Sequence, residues 1–359
     1  MVQGEVESAG VKRGDVIVSK DKSKDVLKFI STADWHWRLT NPRSRIDCFS
    51  ESVSAKIFEI FDLARTIKAD GILLAGDLMD SEFLSWSAVK ELGKILLQSP
   101  CPIYTIGGQH EENGHDPGSL DRLPWGTLAA WEIIQNVAEI GAWFGLACGK
   151  TLTITGKHYG PDAESEDYYF AHEGKPKTDY YIQLSHGTVV DRPAIFKHTV
   201  AKEVKTNADM VCVGDYHPGL EDGFVEIENT LGRPAYVVSP GALSRMAGSV
   251  VEMERRIQVA VITVDKDGIH EPEIVPIRSA LPGCEVLTRE HIEAMTEAEK
   301  RELEFFGLLE QEKRRKFNDT IEILNGIAKM DLIRADVRDD AERRILKARE
   351  ELGQRERVS

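Results

Sequence analysis

The stretch GILLAGDLMD, residues 71–80, decides the fold class of this chain, because a short apolar run leads directly into Gly76-Asp77. A short apolar run that stops at glycine and a polar residue is typical of a buried strand. Apolar residues at helical spacing precede it over residues 50–68 and follow it over residues 84–98. These two patterns predict amphipathic helices on both sides of the strand.

Two further strands flank these helices. VLKFISTADWHW, residues 26–37, begins as a strand and breaks after Ala33, and PIYTIGG, residues 102–108, is a third strand. Ser50 or Ser52 is the expected cap of the first helix. Strands that alternate with helices at this spacing predict βαβ units and a largely parallel sheet, in which ligands bind beyond the carboxyl ends of the strands.

The rest of the chain is predicted to be helical over residues 120–136 and then rich in short strands. The predicted strands are TLTITG (151–156), YYIQLSHG (180–187), DMVCVGD (209–215), GFVEIE (223–228), AYVVSPG (235–241) and IQVAVITVD (257–265). The fold class is therefore α/β. We divide the chain into a polar N-terminal extension (1–26), a main domain (27–283) and a charged tail (284–359).

The tail is predicted to be helical, since residues 290–357 are dense in charged residues and contain no proline. An apolar stripe at helical spacing runs along it, interrupted by Asn325-Gly326. The stripe consists of Ile321, Leu324, Ala328 and Leu332. It either docks onto a partner or packs against the main domain.

Composition excludes some classes of protein. A 42% hydrophobic chain of 359 residues can bury one large core or two smaller ones. The net charge of −15 argues against a module that binds nucleic acid by charge alone, but not against an enzyme with bound metal ions. No apolar run is long enough to span a membrane, and the N-terminus lacks an apolar signal core, so we expect a cytoplasmic protein with no membrane partner.

The five cysteines are widely spaced and form no C-x-x-C pair. This arrangement predicts buried, reduced thiols rather than a disulfide framework or a zinc knuckle.

Metal-binding side chains follow five of the predicted strands. A single Gly-Asp after a strand is more often a turn, and a single buried histidine is more often a core residue. Five strand ends with such groups are hard to explain by turns alone, so we predict a joint site. Its members are Asp34 with His36, Asp77, Gln109 with His110, His186, and Asp215 with His217.

Such a set suits phosphoester hydrolysis. Two divalent cations about 3.5–4 Å apart can bind a phosphoryl oxygen and activate a water molecule between them. One carboxylate must bridge the ions, neutral imidazoles and oxygen donors complete each shell, and a further histidine can protonate the leaving oxygen.

The order of the motifs DWH, GD, GQHE, SHG and GDYH resembles that of the calcineurin-like metallophosphoesterases. VVSPGALSR, residues 237–245, is similar to a segment of the SbcD-type DNA repair exonucleases, including phage-encoded relatives. The resemblance covers about residues 28–280. It implies a two-sheet β-sandwich flanked by helices, often with a small cap, and here a C-terminal helical tail.

The resemblance also implies roles for the predicted site. Asp34, His36, Asp77 and His217 match the first metal site, with Asp77 as the bridging carboxylate. Gln109, His186 and Asp215 match the other ligands of the second site. His110 matches the catalytic histidine that does not bind metal.

Two positions depart from the family pattern. Gln109 stands where the family has asparagine, and Asp215 stands where it has the first histidine of G-H-x-H. Both changes move the second site toward oxygen ligands, which favour Mn²⁺ or Mg²⁺ over Zn²⁺. We therefore expect two divalent ions, with Mn²⁺ preferred and Mg²⁺ as the alternative. The same departures are also consistent with a weakened second site.

Basic residues adjoin the first ligands. Arg38, Arg43 and Arg45 are expected to contact the DNA backbone, with Trp35 and Trp37 either stacking on bases or packed beneath the loop. The basic run EKRRK, residues 312–316, could touch DNA or form a solvated helix face.

The leading hypothesis is a metal-dependent DNA nuclease of the SbcD type, an exonuclease with endonuclease capacity in DNA repair or recombination. DNA is then the substrate, and the tail is where the family docks onto an SbcC-type ATPase; a homodimer is a further expectation. The alternatives are a phosphodiesterase or phosphatase for a small substrate such as a cyclic nucleotide, and a low-activity scaffold that acts by protein interaction.

Overall fold

The computed structural model describes residues 17–18, 24–114, 116–138, 141–163, 165–174, 177–290, 340 and 343–344. The strands are, in chain order, β1 (Ile17–Val18), β2 (Leu27–Thr32), β3 (Gly71–Leu74), β4 (Ile103–Thr105), β5 (Gln135–Asn136), β6 (Ala142–Gly145), β7 (Thr151–Gly156), β8 (Tyr180–His186), β9 (Val189–Val190), β10 (Thr199–Val200), β11 (Met210–Gly214), β12 (Phe224–Glu228), β13 (Pro234–Val238), β14 (Gln258–Asp265), β15 (Gly268–Ile269) and β16 (Glu273–Pro276). The α-helices are α1 (Phe49–Ile67), α2 (Trp86–Leu96), α3 (Pro124–Ala130), α4 (Val250–Glu254) and α5 (Gly283–Val286). Short 3₁₀ helices span Pro117–Arg122 and Ala201–Glu203.

The strands form two main sheets. The first sheet has the order β15-β14-β2-β3-β4-β5, with β16 also pairing with β14. Its strands β2 to β5 are parallel, and β14 runs antiparallel to β2. The second sheet has the order β1-β6-β7-β8-β11-β13-β12, and β7, β8, β11 and β13 are parallel. The predicted α/β class is confirmed, as are the three strands of the βαβ series and the six short strands.

The two sheets pack face to face across one apolar core. Phe29 of β2 meets Phe144 of β6 edge to face, with ring centroids 5.2 Å apart. Leu184 and Ile262 belong to the same buried cluster, although they lie in different sheets. A second cluster packs helices α1, α2 and α3 onto the outer face of the first sheet. The fold is thus a β-sandwich flanked by helices.

Helix α1 begins differently from the prediction. Cys48, rather than Ser50 or Ser52, occupies the N-cap position and makes no side-chain cap. Instead, Asn41 Oδ1 accepts a hydrogen bond from the backbone N–H of Phe49 at 2.9 Å. A distant amide therefore satisfies one of the free donors at the helix start, which a local capping rule cannot anticipate.

The predicted helix over residues 120–136 is divided. The 3₁₀ helix ends at Arg122, Leu123 is extended (φ −111°, ψ 167°), and α3 starts at Pro124 and ends at Ala130. The proline ring disfavours the α conformation for the residue before it, here Leu123. Proline itself fits well in the first turn of a new helix. Gln135 and Asn136 form strand β5 instead of a last helical turn.

The chain termini are described only in part. Within the predicted N-terminal extension, Ile17 and Val18 pair in parallel with Ala142 and Trp143. The apolar stripe at 321–332 and the basic run at 312–316 lie outside the described residues. In the described ranges, no helix combines the length and apolar character needed to cross a bilayer.

The cysteines are all free thiols, as predicted, but they are not all buried. Cys212 lies in the core, whereas Cys48, Cys148 and Cys284 are exposed. The expectation of buried thiols is wrong for these three, because sequence spacing carries no information about the face on which a lone cysteine lies.

Candidate metal centre

The register of the parallel strands brings the predicted site residues to one edge of the sandwich. Thr32 of β2 pairs with Leu74 of β3, which in turn pairs with Thr105 of β4, so the three strands end side by side. In the second sheet, His186 at the end of β8 pairs with Gly214 at the end of β11. Five loops therefore leave the strands at the same end of the molecule.

Six of the predicted residues form one cluster of ligand atoms. They fall into three overlapping groups, and within each group the atoms lie within 4.8 Å of one another. The groups are Asp34 with His36 and His217, His36 with Asp77 and His110, and Asp34 with Asp77 and His186. The sequence prediction placed all six in the site.

Asp77 lies at the centre of this cluster. Its Oδ2 is 3.4 Å from His186 Nε2, 3.7 Å from His36 Nε2 and 3.9 Å from His110 Nε2. Both Asp77 and His186 are almost fully buried, and within the described residues neither Asp77 Oδ2 nor His186 Nε2 has a hydrogen-bond partner. Buried polar atoms without partners are costly, and a bound cation would satisfy both. The donors present therefore fit a divalent metal centre with Asp77 between two sites.

The two residues that depart from the family pattern lie together beside this cluster. Gln109 Nε2 donates to Asp215 Oδ1 at 2.9 Å, and Thr188 Oγ1 donates to Asp215 Oδ2. The backbone N–H of Asp215 also donates to Asp34 Oδ1 at 3.1 Å. Gln109 and Asp215 are thus next to the predicted second site, and Asp215 lies outside the three groups of ligand atoms.

Backbone conformation at the site is unusual. Asp34 (φ 52°), His36 (47°), Asp77 (49°) and Asp215 (87°) all adopt positive φ values. Residues other than glycine rarely occupy this region. Each such position costs on the order of 1–3 kcal/mol of folding free energy unless contacts made by the side chain offset the strain. Aspartate tolerates the conformation better than most residues. The sharp turns aim successive side chains of each loop into one small volume.

The carboxylates and imidazoles of the cluster perturb one another. Burial raises the pKa of Asp34 to about 7, despite the opposing effect of His186. Burial also acts to raise the pKa of Asp77, but the charges of His186 and His110 outweigh it and hold that pKa well below its usual range. Burial and the charge of His36 lower the pKa of His217. Asp77 is therefore ionised at every working pH and is available to a cation.

Asp80 is a site residue that the sequence prediction missed. Its Oδ1 is 3.5 Å from His36 Nδ1, and its Oδ2 accepts a hydrogen bond from Arg38 Nη1. Its backbone oxygen is 2.8 Å from His110 Nδ1, which fixes the orientation of the His110 ring. The signal in the sequence is a second aspartate three residues after Asp77. A carboxylate behind a ligating histidine orients the ring and raises its basicity.

Glu111 connects two of the loops that carry site residues. Its Oε1 and Oε2 accept hydrogen bonds from the backbone N–H groups of Met79 and Gly108, each at 2.7 Å. This carboxylate ties the Asp77 loop to the His110 loop. Gly108 itself is required there, since a Cβ atom at this position would collide with Asp77 Oδ1 and with the Asp77 backbone.

Glu112 is also buried, at 3% exposure, and within the described residues neither of its carboxylate oxygens has a hydrogen-bond partner. Burial raises its pKa to about 9. His115 lies outside the described residues.

The segment of residues 239–245 braces the first ligand loop. Leu243 N–H donates to Ala33 O at 3.0 Å, Ser244 N–H donates to Asp34 O at 3.3 Å, and Ser244 Oγ donates to Trp35 O. Lys56, which is fully buried, donates from Nζ to Leu243 O at 2.6 Å. Residues 239–245 thus act as a support for Asp34.

The basic loop differs in part from the prediction. Arg43 is exposed and Arg38 is half-buried against Asp80. Arg45 is buried, binds Asp47 and donates to Arg245 O at 3.2 Å, so its guanidinium faces the interior rather than solvent. Trp35 and Trp37 are also buried, which rules out base stacking for them and confirms the alternative that they pack beneath the loop.

Comparisons with known proteins agree with this geometry. The sequence model described as calcineurin-like phosphoesterase matches residues 27–219. No curated protein matches the sequence.

Among solved structures, the protein TT1561 of Thermus thermophilus is similar at 15% identity and a TM-score of 0.39, over 70% of this chain and 100% of that one. A protein proposed to be a 5′-nucleotidase from Staphylococcus aureus, solved with alpha-ketoglutarate, is similar at 14% identity and a TM-score of 0.45, over 70% of this chain and 54% of that one. Likenesses this distant say nothing about the substrate.

Proposed function

Because the chain belongs to the calcineurin-like phosphoesterase family, we propose that it is a metal-dependent phosphodiesterase acting on DNA, a nuclease of the SbcD type. The family implies metal-dependent phosphoester hydrolysis. The observation that carries the proposal is the buried carboxylate of Asp77 among the imidazoles of His36, His110 and His186. The support for DNA is the similarity of residues 237–245, the pairing of Arg38 with Asp80 beside the site, and the exposure of Arg43 on the same loop.

The ligands divide into two sets around Asp77. Asp34, His36 and His217 would hold one ion, and His186 with Gln109 and Asp215 would hold the other. Bound divalent ions supply Lewis-acid polarisation of the phosphoryl oxygens and a nucleophilic water molecule at neutral pH. The oxygen-rich second set favours Mn²⁺, with Mg²⁺ as the alternative.

His110 is the group that handles the leaving oxygen. Its side chain is 19% exposed, whereas the side chains of His36 and His186 are 1% exposed or less. Its Nδ1 is held at the backbone oxygen of Asp80, so Nε2 faces the cluster. Burial lowers the pKa of His110, although the charge of Asp77 opposes the effect. In its protonated form the His110 ring donates from Nδ1 to Asp80 O, which keeps it oriented, and can pass its Nε2 proton to the leaving alkoxide; the lowered pKa makes the ring the stronger acid.

A second candidate is hydrolysis of a small phosphoester. The net charge of −15 favours it, because a polyanionic substrate is repelled by an acidic protein. The apolar stripe and the basic run of the tail lie outside the described residues. Docking of an ATPase partner onto the tail is therefore a prediction from the resemblance alone.

The test is a nuclease assay on linear duplex DNA with Mn²⁺, run beside a chromogenic phosphodiester and a phosphomonoester. We expect Mn²⁺-dependent release of nucleotides from DNA and hydrolysis of the diester. Hydrolysis of the small esters alone would favour the second candidate. Full activity with Zn²⁺ and none with Mn²⁺ would overturn the ligand assignment at the second site.

A further inference from the structure

Two aromatic side chains near the candidate metal centre are exposed. Phe83 is 66% exposed and Trp86 is 69% exposed, and they stand in the segment SEFLSW, residues 81–86, that directly follows Asp80. Single apolar residues on a protein surface are common and need no explanation. We call this pair the aromatic rim. It differs from other exposed apolar residues because it lies in the segment that follows Asp80.

The backbone of the aromatic rim follows directly on Asp80, a residue that contacts the groups that would handle the phosphate. Three residues of extended chain span at most about 11 Å, so the backbone of Phe83 lies within that distance of Asp80. Asp80 contacts both Arg38 and His110. Trp86 is the first residue of α2, and the carbonyl of Ala88 in the same turn accepts a hydrogen bond from Trp37 Nε1 at 3.3 Å, next to Arg38.

The charges around the rim indicate what kind of contact a substrate would need. Asp80 already pairs with Arg38, and the whole chain carries a net charge of −15. Arg38 is therefore largely neutralised, which leaves Arg43 as the exposed arginine of this loop to attract a phosphodiester. Stacking of a base on an aromatic ring is independent of net charge and stabilises a complex appreciably for every base.

We propose that Phe83 and Trp86 form a stacking platform for the nucleoside next to the scissile phosphate. Phe83 and Trp86 would take the base-stacking role that the sequence suggested for Trp35 and Trp37, because those two side chains are buried and have no ring face open to a base. The proposal rests on the proposed phosphodiesterase function and adds to it the residues that recognise the nucleoside. It also assigns a role to residues that are not needed for metal binding.

The test compares two esters with the same leaving group. Thymidine 5′-(p-nitrophenyl phosphate) and methyl p-nitrophenyl phosphate differ only in the nucleoside, so the ratio of their kcat/KM values with Mn²⁺ measures what the nucleoside contributes. Phe83→Ala and Trp86→Ala should each lower this ratio by about tenfold, as expected for one lost stack. Phe83→Tyr and Trp86→Phe keep a ring and should restore most of it.

Trp131 provides a matched control. It is 63% exposed but follows α3, away from Asp80 in the sequence and in the fold. Trp131→Ala should leave the ratio as it is in the unmodified protein. Stacking also predicts that KM for the thymidine ester changes little with ionic strength, in contrast to binding by phosphate charges.

The possible outcomes distinguish failure of the stacking platform from failure of the proposed phosphodiesterase function. An unmodified enzyme that hydrolyses both esters with equal kcat/KM would overturn the platform and leave the phosphodiesterase function standing. An equal fall on both esters in the alanine variants would show a structural role and would also overturn the platform. Failure of the unmodified enzyme to hydrolyse either ester, or DNA, would overturn the proposed function itself.

Discussion

His36 and His217 hold their Nε2 atoms 2.9 Å apart, although 181 positions separate the two residues in the sequence. Burial acts to lower the pKa of His36, but the neighbouring carboxylates of Asp80 and Asp77 outweigh it and raise that pKa to about 9. Burial and the charge of His36 shift the pKa of His217 the opposite way. Two charged rings at this distance would repel each other, so His36 is the ring that carries the proton. A cation held by both rings would take the place of that proton.

Removing His217 tests this arrangement. His217→Ala should lower the affinity for Mn²⁺ by more than the roughly 10- to 100-fold that loss of an outer-shell partner costs. Titration calorimetry on chelator-treated protein measures the effect. The exposed His270→Ala is the matched control and should bind as the unmodified protein does. Equal Mn²⁺ affinity in the His217 variant would exclude it from the ligand set.

His110 is predicted to act in catalysis and not in metal binding. His110→Gln should lower kcat by about 10²–10⁴-fold, the usual contribution of a positioned acid or base, while the metal content stays the same. Elemental analysis beside steady-state kinetics separates the two effects. A variant that loses its metal ions together with its activity would place His110 among the ligands instead.

Gly108 is predicted to be essential for the position of Asp77. In Gly108→Ala the new methyl group would collide with the Asp77 carboxylate, so Mn²⁺ binding should be lost while the fold remains. Gly93→Ala is a suitable control, because its Cβ would meet only Leu128 at 3.9 Å and Ile133 at 4.0 Å. Circular dichroism and metal titration of both variants check the prediction. Normal binding by the Gly108 variant would contradict the role of the close approach.

Glu112 should make stability fall as pH rises. Burial raises its pKa to about 9, so between pH 4.5, its ordinary value, and 9 the folded protein keeps a proton that the unfolded chain has released. The free energy of unfolding then falls by at most about 1.4 kcal/mol per pH unit from this group.

Glu112→Gln should remove that slope. Urea unfolding of the chelated protein at pH 6 and pH 8 measures the difference, with the exposed Glu91→Gln as control. If the unmodified protein and the Glu112 variant respond alike to pH, the carboxyl group is not buried in its neutral form.

Much of the site was predictable because parallel strands in register end at one edge. Once DWH, GD, GQHE, SHG and GDYH are each placed after a strand, their ends come together in two sets. Thr32, Leu74 and Thr105 pair in one sheet, and His186 pairs with Gly214 in the other. Side-chain type and strand position together were enough to find six members of the cluster.

Other features depend on contacts between distant residues, which local patterns do not encode. Trp35 and Trp37 look like solvent-facing aromatics among arginines, yet both enter the core beside α1 and α2. Asp80 resembles an ordinary loop aspartate until His36 and His110 are folded against it. The pairing of Gln109 with Asp215 joins loops from two different sheets, and no spacing rule links them.

The left-handed residues of the site have an evolutionary consequence. At Asp34, Asp77 and Asp215 the left-handed backbone favours aspartate, asparagine and glycine over most other residues, whatever the chemistry requires. Selection for folding therefore preserves these positions even after selection for hydrolysis has ended. A descendant that had lost its activity would still carry much of the motif pattern. Among relatives of this protein, His110, His186 and His217, whose backbones are not left-handed, are the better record of whether catalysis has been kept.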